Sequence, residues 1–319
     1  MTEHYVTVFD HKFLSQGLAL HRSMQRHCGA FKLWIIAMDT QTEEALGRLE
    51  PAGVEVIPVA RLETKALLEA KANRSSKEYC WTITPFAPSA VFDRDSSVTR
   101  VTYVDADVWL RRNPGVLFRE FEQSGKASMI TEHAFAPEYD TSETAGRFCV
   151  QFMPFMRSQS QEILERWQFQ CLEWCYDYVE DGKFGDQKYL DSWPDEFADQ
   201  VHVLSRPSLV QGPWNATRFP FSEAIAYHFH GMRWLGQSRL YRSGYVLPAP
   251  LLQYVYEPYA SDLFWARDLI LDNLGTEYES SFHQTSISTF RRWISSVRWR
   301  VRTAFSNPVN ASGRMHHQR

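Results

Sequence analysis

Two carboxylates one residue apart, Asp105 and Asp107, follow directly on the apolar run VTRVTYV at residues 98–104. If the chain leaves a sheet at that point, both can converge on one hard divalent cation and leave coordination positions open for phosphate oxygens or water. Mg²⁺ or Mn²⁺ held there would neutralise a departing diphosphate, the main electrostatic demand when such a group leaves. A D-x-D also occurs as a solvated turn, and the buried run ahead of this one is what favours the site. Residues 227–231 (YHFHG) form a second cluster. Strand alternation puts His228 and His230 on one face, either able to complete the cation site, while Gly231 admits close backbone approach to a phosphate. Residues 182–190 (GKFGDQKYL) form a third. Asp186 and Gln187 stand there at a helix start, either as an ordinary cap or aimed into a cleft to hold a polar substrate, and spacing leaves both readings open.

The elements that must position these residues are readable in the first hundred positions. Apolar β-rich runs at 5–9, 33–38, 54–59 and 98–104 alternate with helix-period segments at 14–24, 40–50 and 61–71. This alternation predicts an α/β fold, one domain with a mixed, mainly parallel central sheet flanked by helices. In such sheets ligands sit beyond the carboxyl ends of the strands, where Asp10, Asp39 and Asp105 fall. The second half is less regular. Residues 148–155 read as one strand crossing the sheet, 159–179 as a long aromatic helix, 205–222 as an ordered loop and 227–229 as a short strand.

With 319 residues, 44% hydrophobic and 23% charged, the chain has an ordinary globular composition, which excludes fibrous and wholly disordered classes. No run approaches the roughly 18 apolar residues of a membrane span, and the first residues do not resemble a secretory signal. These features predict a cytoplasmic protein. The five cysteines lack any C-x-x-C, and Cys171 and Cys175 read as small buried side chains of the aromatic helix. Without a secretion signal, the sequons at Asn73, Asn215 and Asn310 read as chance. Residues 281–319 hold seven Arg, no Lys and no acid, so residues 1–280 carry −11 of the overall −4. An acidic body argues against nucleic-acid partners.

Taken in order, the three clusters resemble a family of GT-A glycosyltransferases, the retaining one that includes glycogenin and bacterial lipopolysaccharide galactosyltransferases. The family pattern is an apolar strand into Y-x-D-x-D, an N-A-G-like strand, a D-Q segment and H-F-x-G. Its counterparts here are residues 103–107, 147–155, 186–187 and 228–231, and the resemblance spans roughly 4–235. It implies a nucleotide-sugar donor, UDP-linked by preference, a glycan or lipid-linked glycan acceptor, and Mn²⁺ or Mg²⁺ on Asp105, Asp107 and His228, with His230 as an alternative ligand. Asp105 would also lie near the ribose, behind Tyr103 of the same motif, and Asp186 and Gln187 near the transferred sugar. Phe9 and Asp10 fall where the family touches the base, with Lys65, Trp81 and Thr84 lining the same pocket. Two positions depart from the family. Cys149 replaces its asparagine, leaving Gln151 as the substitute sugar contact, and its K-P-W gives way to Met232, Arg233 and Trp234, so Arg233 or Arg239 takes the phosphate. The rival functions are a sugar-nucleotide pyrophosphorylase, which expects a Gly-rich loop that the segment after Phe9 lacks, and an inactive nucleotide-sugar-binding scaffold.

Residues 288–306 place Phe290, Trp293, Ile294, Val297, Val301 and Phe305 at helical spacing among five Arg. The pattern suits an interfacial helix on an anionic membrane, which a lipid-linked acceptor would explain and which would make the protein peripheral. A helix docked on the acidic body would show the same pattern. The expected division is therefore a catalytic domain at 1–280 and a basic amphipathic tail at 281–319.

Overall fold

The computed structural model describes residues 2–235 and 239–275. The helix expected at 288–306, the sequon at Asn310 and the proposed boundary at 280 lie outside the described residues. The strands are β1 (Glu3–Phe9), β2 (Phe31–Ala37), β3 (Val54–Pro58), β4 (Arg100–Val104), β5 (Val108–Leu110), β6 (Ser128–Glu132), β7 (Phe148–Cys149), β8 (Phe152–Met156), β9 (Val201–Val203), β10 (Val210–Gln211), β11 (Ala226–His228), β12 (Arg233–Leu235) and β13 (Arg239–Tyr241). The helices are α1 (Leu14–His27), α2 (Thr40–Leu49), α3 (Lys65–Ala72), α4 (Ser76–Ile83), α5 (Ala87–Arg94), α6 (Gly115–Ser124), α7 (Ser142–Ala145), α8 (Gln161–Glu173), α9 (Trp193–Glu196), α10 (Ala249–Leu251) and α11 (Glu257–Leu274).

Eight strands form the central sheet in the order β3-β2-β1-β4-β8-β6-β7, with β9 also paired to β6. The β3-β2-β1-β4 half is parallel, while β8 enters antiparallel to β4 with Val104 opposite Phe152. This is the mixed, mainly parallel sheet expected from the strand–helix alternation. Period-two alternation splits each strand between two cores. Val6, Trp34, Ile36 and Tyr103 pack with side chains of α4, α5 and α8 on one face. Tyr5, Leu33, Ile35 and Val104 pack with α1, α2, α6 and α11 on the other. Among the described residues no helix is long and apolar enough to cross a membrane.

Strand ends and helix starts are coupled by capping. Asp39, at the carboxyl end of β2, accepts from the Thr42 backbone N–H at 2.8 Å and so opens α2. Helix α1 must pass close to β1, and Gly17 makes that possible: a Cβ there would lie 2.5 Å from Cζ of the buried Phe9. Gly17→Ala therefore forces the ring to move and is expected to destabilise the fold by about 1–3 kcal/mol. Urea unfolding measures this directly, and an unchanged midpoint would show that the core yields there without strain.

Four local expectations need correction. Residues 148–155 are two strands, not one: the chain turns at Val150 and Gln151, so β7 pairs with β6 and β8 with β4. The helix expected over 159–179 ends at Glu173, because Trp174 adopts an extended backbone; Cys175 thus lies beyond it, although both cysteines are fully buried as expected. Residues 61–71 divide into a 3₁₀ turn, Val59–Arg61, and α3, which Thr64 caps. The loop at 205–222 carries 3₁₀ turns and the short β10. Helices α4 and α5 went unassigned, although Ser75 and Glu78 form a capping box readable as S-x-x-E.

Candidate active site

A second, three-stranded sheet builds the site. Immediately after the D-x-D turn, β5 pairs antiparallel with β11, setting Val108 opposite His228. The Phe229 N–H then donates to the Asp107 carbonyl at 2.9 Å, which locks His228 beside the two aspartates. Its Nε2 lies 3.0 Å from Asp107 Oδ1 and its Nδ1 3.9 Å from Asp105 Oδ2. One ligand atom from each of Asp105, Asp107 and His228 falls within 4.8 Å of the other two. The Asp105 and Asp107 side chains keep 25% and 15% exposure, so the group is reached by solvent.

The surroundings bring like charges together. Tyr103 Oη donates to Asp105 Oδ1 at 2.8 Å, and the Asp105 N–H donates to the Gln151 carbonyl at 3.4 Å. The Thr84 hydroxyl, which donates to the Cys80 carbonyl at 3.2 Å, acts on both Tyr103 and Asp186. Burial, against the opposing charge of His228, pushes the Asp105 carboxyl up to about 7, and Asp107 pushes it the same way. Burial and then Asp105 push Asp186 up to about 8. Asp107 goes the other way: burial would raise it, but the charge and hydrogen bond of His228 hold it below its ordinary value. In turn His228 is held well above the usual histidine range, because Asp107 outweighs burial. Burial and the charge of His228 keep His230 neutral, lowered to about 4.

Most of the residues singled out in the sequence meet here. Asp105, Asp107, His228, Asp186, Tyr103, Thr84 and Gln151 form one connected group. The ring of His230 lies 5.8 Å from that of His228, centroid to centroid. Arg233, partly buried, feels the charge of Asp107, and its Nε donates to the carbonyl of Gly231, which adopts φ +77°. Trp81 packs beside the Gly185 backbone and against Phe184, next to Asp186. The Gln187 side-chain amide donates to the Ala145 carbonyl at 2.6 Å, which ties the Asp186 segment to α7.

Four expected contacts take another form. The Phe9 side chain is buried against Gly17, so its ring is core and only its backbone lies at the strand end. Lys65 stands exposed on α3 and faces Glu69 one turn on, with no contact to the acidic group among the described residues. Asp10 caps the turn after β1 by accepting from the Lys12 N–H at 3.1 Å, and its charge acts on Asp39 and Cys80. Arg239 lies exposed on β13.

Sequence reasoning missed His133 and Trp214. Burial, reinforced by His228 and His230, lowers His133 to about 3, so it stays neutral. The Trp214 ring contacts His133, His228 and His230 at centroid distances of 5.0, 5.3 and 6.0 Å. Trp214 and Asn215 both donate to the His133 carbonyl at 2.8 Å. Asn215 is thus buried and committed, which closes its sequon. Cys149, noted only as a departure from the family, lies 4.0 Å (Sγ) from His228 Nδ1, and burial pushes its thiol up to about 11.

The sheet order, the acidic turn beyond β4 and the small sheet that returns a histidine to it define the GT-A glycosyltransferase fold. The galactosyltransferase LgtC, solved in complex with donor and acceptor sugar analogs, shares that fold with a TM-score of 0.52 and 10% identity, over 83% of this chain and 96% of LgtC. The chain belongs to the family of YfnF from Bacillus subtilis (strain 168), an uncharacterized protein 31% identical over 254 residues, or 73% of this chain and 82% of YfnF. YfnD of the same organism is 24% identical over 280 residues, covering 82% of this chain and 89% of YfnD. No protein-family model matches the chain.

Proposed function

We propose that the protein is a metal-dependent glycosyltransferase that moves a sugar from a nucleoside-diphosphate donor, UDP-linked by preference, to a hydroxyl of a glycan acceptor of the lipopolysaccharide or capsule class. The observation that carries this reading is the convergence of Asp105, Asp107 and His228 at the end of β4 in a GT-A fold. The donor set fits a divalent cation: two carboxylates and an imidazole are hard or borderline ligands of the kind that Mn²⁺ and Mg²⁺ accept. Burial first, and then a neighbouring carboxylate, raises the proton affinity of Asp105 and Asp186, and a bound cation would favour their ionised forms. Bound there, the ion would supply charge neutralisation to the leaving diphosphate.

The protein's own residues do the rest. Asp105, Asp107 and His228 hold the ion, with His230 beside them as the alternative ligand, and Tyr103 orients Asp105. Gly231 and Arg233 stand where backbone and guanidinium would meet phosphate oxygens. Asp10 and the β1 end would face the base, with Trp81 and Thr84 on the opposite wall. Asp186, only 6% exposed, suits a fixed contact to a donor-sugar hydroxyl, with Gln187 beside the reacting carbon, whereas Gln151 is fully buried with its side-chain amide donating to Thr131 Oγ1 at 3.3 Å. Retention of anomeric configuration is the favoured course on the family resemblance alone; were the reaction inverting, Asp186 would be the general base for the acceptor hydroxyl.

Incubating the protein with a panel of nucleotide sugars and Mn²⁺ tests the reading. One donor is expected to be hydrolysed slowly without acceptor, with the rate falling at least about tenfold in EDTA and returning with Mn²⁺. If no nucleotide sugar binds or turns over with either Mn²⁺ or Mg²⁺, the proposed function is wrong.

A further inference from the structure

The wall of the site continues outward beyond Asp186. Lys77, Trp81 and Thr84 share one face of α4 and its C-cap at helical spacing, and each meets the segment that leads into Asp186. Thr84 acts on Asp186, and Trp81 packs on the Gly185 backbone and on Phe184. Lys77 lies over the Trp81 ring and pairs with Asp177 at 2.7 Å. The charge of Lys77 also reaches His230, so this face is turned toward the group of Asp105, Asp107 and His228. From Thr84 back to Lys77 the helix spans about 10 Å.

At its outer end the wall carries three packed aromatic rings. Tyr176 and Tyr178 stack at 5.5 Å, and Trp174 meets them edge-on at 5.3 and 5.5 Å. The segment that holds them is pinned at several points. The Gly185 N–H donates to the Tyr176 carbonyl at 3.0 Å, the Asp177 N–H to Glu78 at 2.9 Å and the Trp174 indole to Glu180 at 2.8 Å. Glu180 and Lys183 exchange backbone hydrogen bonds across a tight turn, with Asp181 and Gly182 at φ +48° and +74°. Even so, Tyr178 and Val179 keep 49% and 51% of their surface in solvent. A fixed ring left in water forgoes the free energy of burial, and a ligand with an apolar face recovers it without having to order the loop. The C–H face of a pyranose is such a surface, and its hydroxyls would meet Lys77 and Asp177. Asp177, Glu180 and Asp181 fall within five residues, which opposes a uronate or a phosphorylated sugar there. We propose that Tyr178, backed by Tyr176, forms an outer acceptor subsite that stacks on an uncharged pyranose unit upstream of the accepting hydroxyl. The assignment rests on the glycosyltransferase reading above and extends it to the length and charge of the acceptor.

Retention of the full-length protein on a printed array of capsule and lipopolysaccharide oligosaccharides, in UDP and Mn²⁺, tests the subsite. The array runs from mono- to tetrasaccharides, with and without uronates. Wild type is expected to hold uncharged tri- and tetrasaccharides better than monosaccharides. Tyr178→Ala should weaken binding of the longer glycans alone by about fivefold, the scale of one aromatic contact. Tyr178→Phe keeps the ring and should keep the binding. Phe264→Ala removes another exposed ring, from α11 on the other face of the central sheet, and should bind as wild type does. Equal retention by wild type and Tyr178→Ala, including retention of no glycan by either, overturns the subsite, as does a preference for uronates. Donor hydrolysis without acceptor keeps the two failures apart. A protein that hydrolyses a nucleotide sugar but gives either of those results loses only the subsite, whereas one that turns over no donor loses the reading on which it rests.

Discussion

Asp107→Asn is expected to lower cation-dependent nucleotide-sugar turnover by at least about 10³-fold while leaving the fold intact. The substitution keeps the size of the side chain and an oxygen that can accept from His228 Nε2, now 3.0 Å away. It removes the charge that holds His228 well above the usual histidine range, and with it one of the two carboxylates facing the cleft. The hydrogen bond from Phe229 to the Asp107 carbonyl is a backbone contact and survives, so the β5–β11 register should persist. Turnover and Mn²⁺ affinity should fall together, with little change in melting temperature. A variant that keeps wild-type turnover in Mn²⁺ would remove Asp107 from the site altogether.

Asp262→Ala should produce the largest loss of stability. This carboxylate on α11 is 4% exposed and accepts from Trp109 Nε1 at 2.7 Å and from Arg26 Nη1 at 3.0 Å. Arg26 Nη2 also bonds it, and Arg22 Nε lies 3.5 Å away. One side chain thereby joins α11 to α1 and to β5, the strand that starts one residue after Asp107. Truncation strands a buried indole N–H and two guanidinium groups that the fold has partly desolvated. Because both arginines keep more than a third of their surface in water, the expected cost is about 2–4 kcal/mol, at the lower end for a broken buried pair. In a chain of this size that lowers the melting temperature by roughly 3–6 °C. Asp262→Asn, which retains an acceptor for Trp109, should recover part of the loss. A shift of Asp262→Ala below about 1 °C would mean that the three elements are held by packing alone.

The two variants separate what the site needs chemically from what holds it in place, and the sequence speaks to these unequally. Strands β1 to β4 were legible because each is a short apolar run that ends in a polar or acidic turn, a signal contained within about ten residues. The split at Val150 and Gln151 was not, since Gln151 is the single polar residue between Phe148 and Phe155 and only pairing with two different neighbours makes two strands of the run. Lys65 resembled a pocket residue by position, yet the Thr64 cap starts α3 so that its side chain points to solvent. His133 and Trp214 carried no local signal at all. They reach the site because the segments after β6 and β10 meet at the His133 carbonyl.

By itself the sequence determined the α/β alternation, the acidic turn beyond β4 and two histidines able to face it. Tertiary structure decided which histidine does. The antiparallel register of Val108 with His228 seats that residue on Asp107; burial then raises Asp105 and Asp186, while the charge and hydrogen bond of His228 hold Asp107 low. The physical reason is range. Periodicity and capping act over one or two turns of chain, whereas the distance between residues more than a hundred positions apart, and the dielectric around them, exist only once the two sheets have packed.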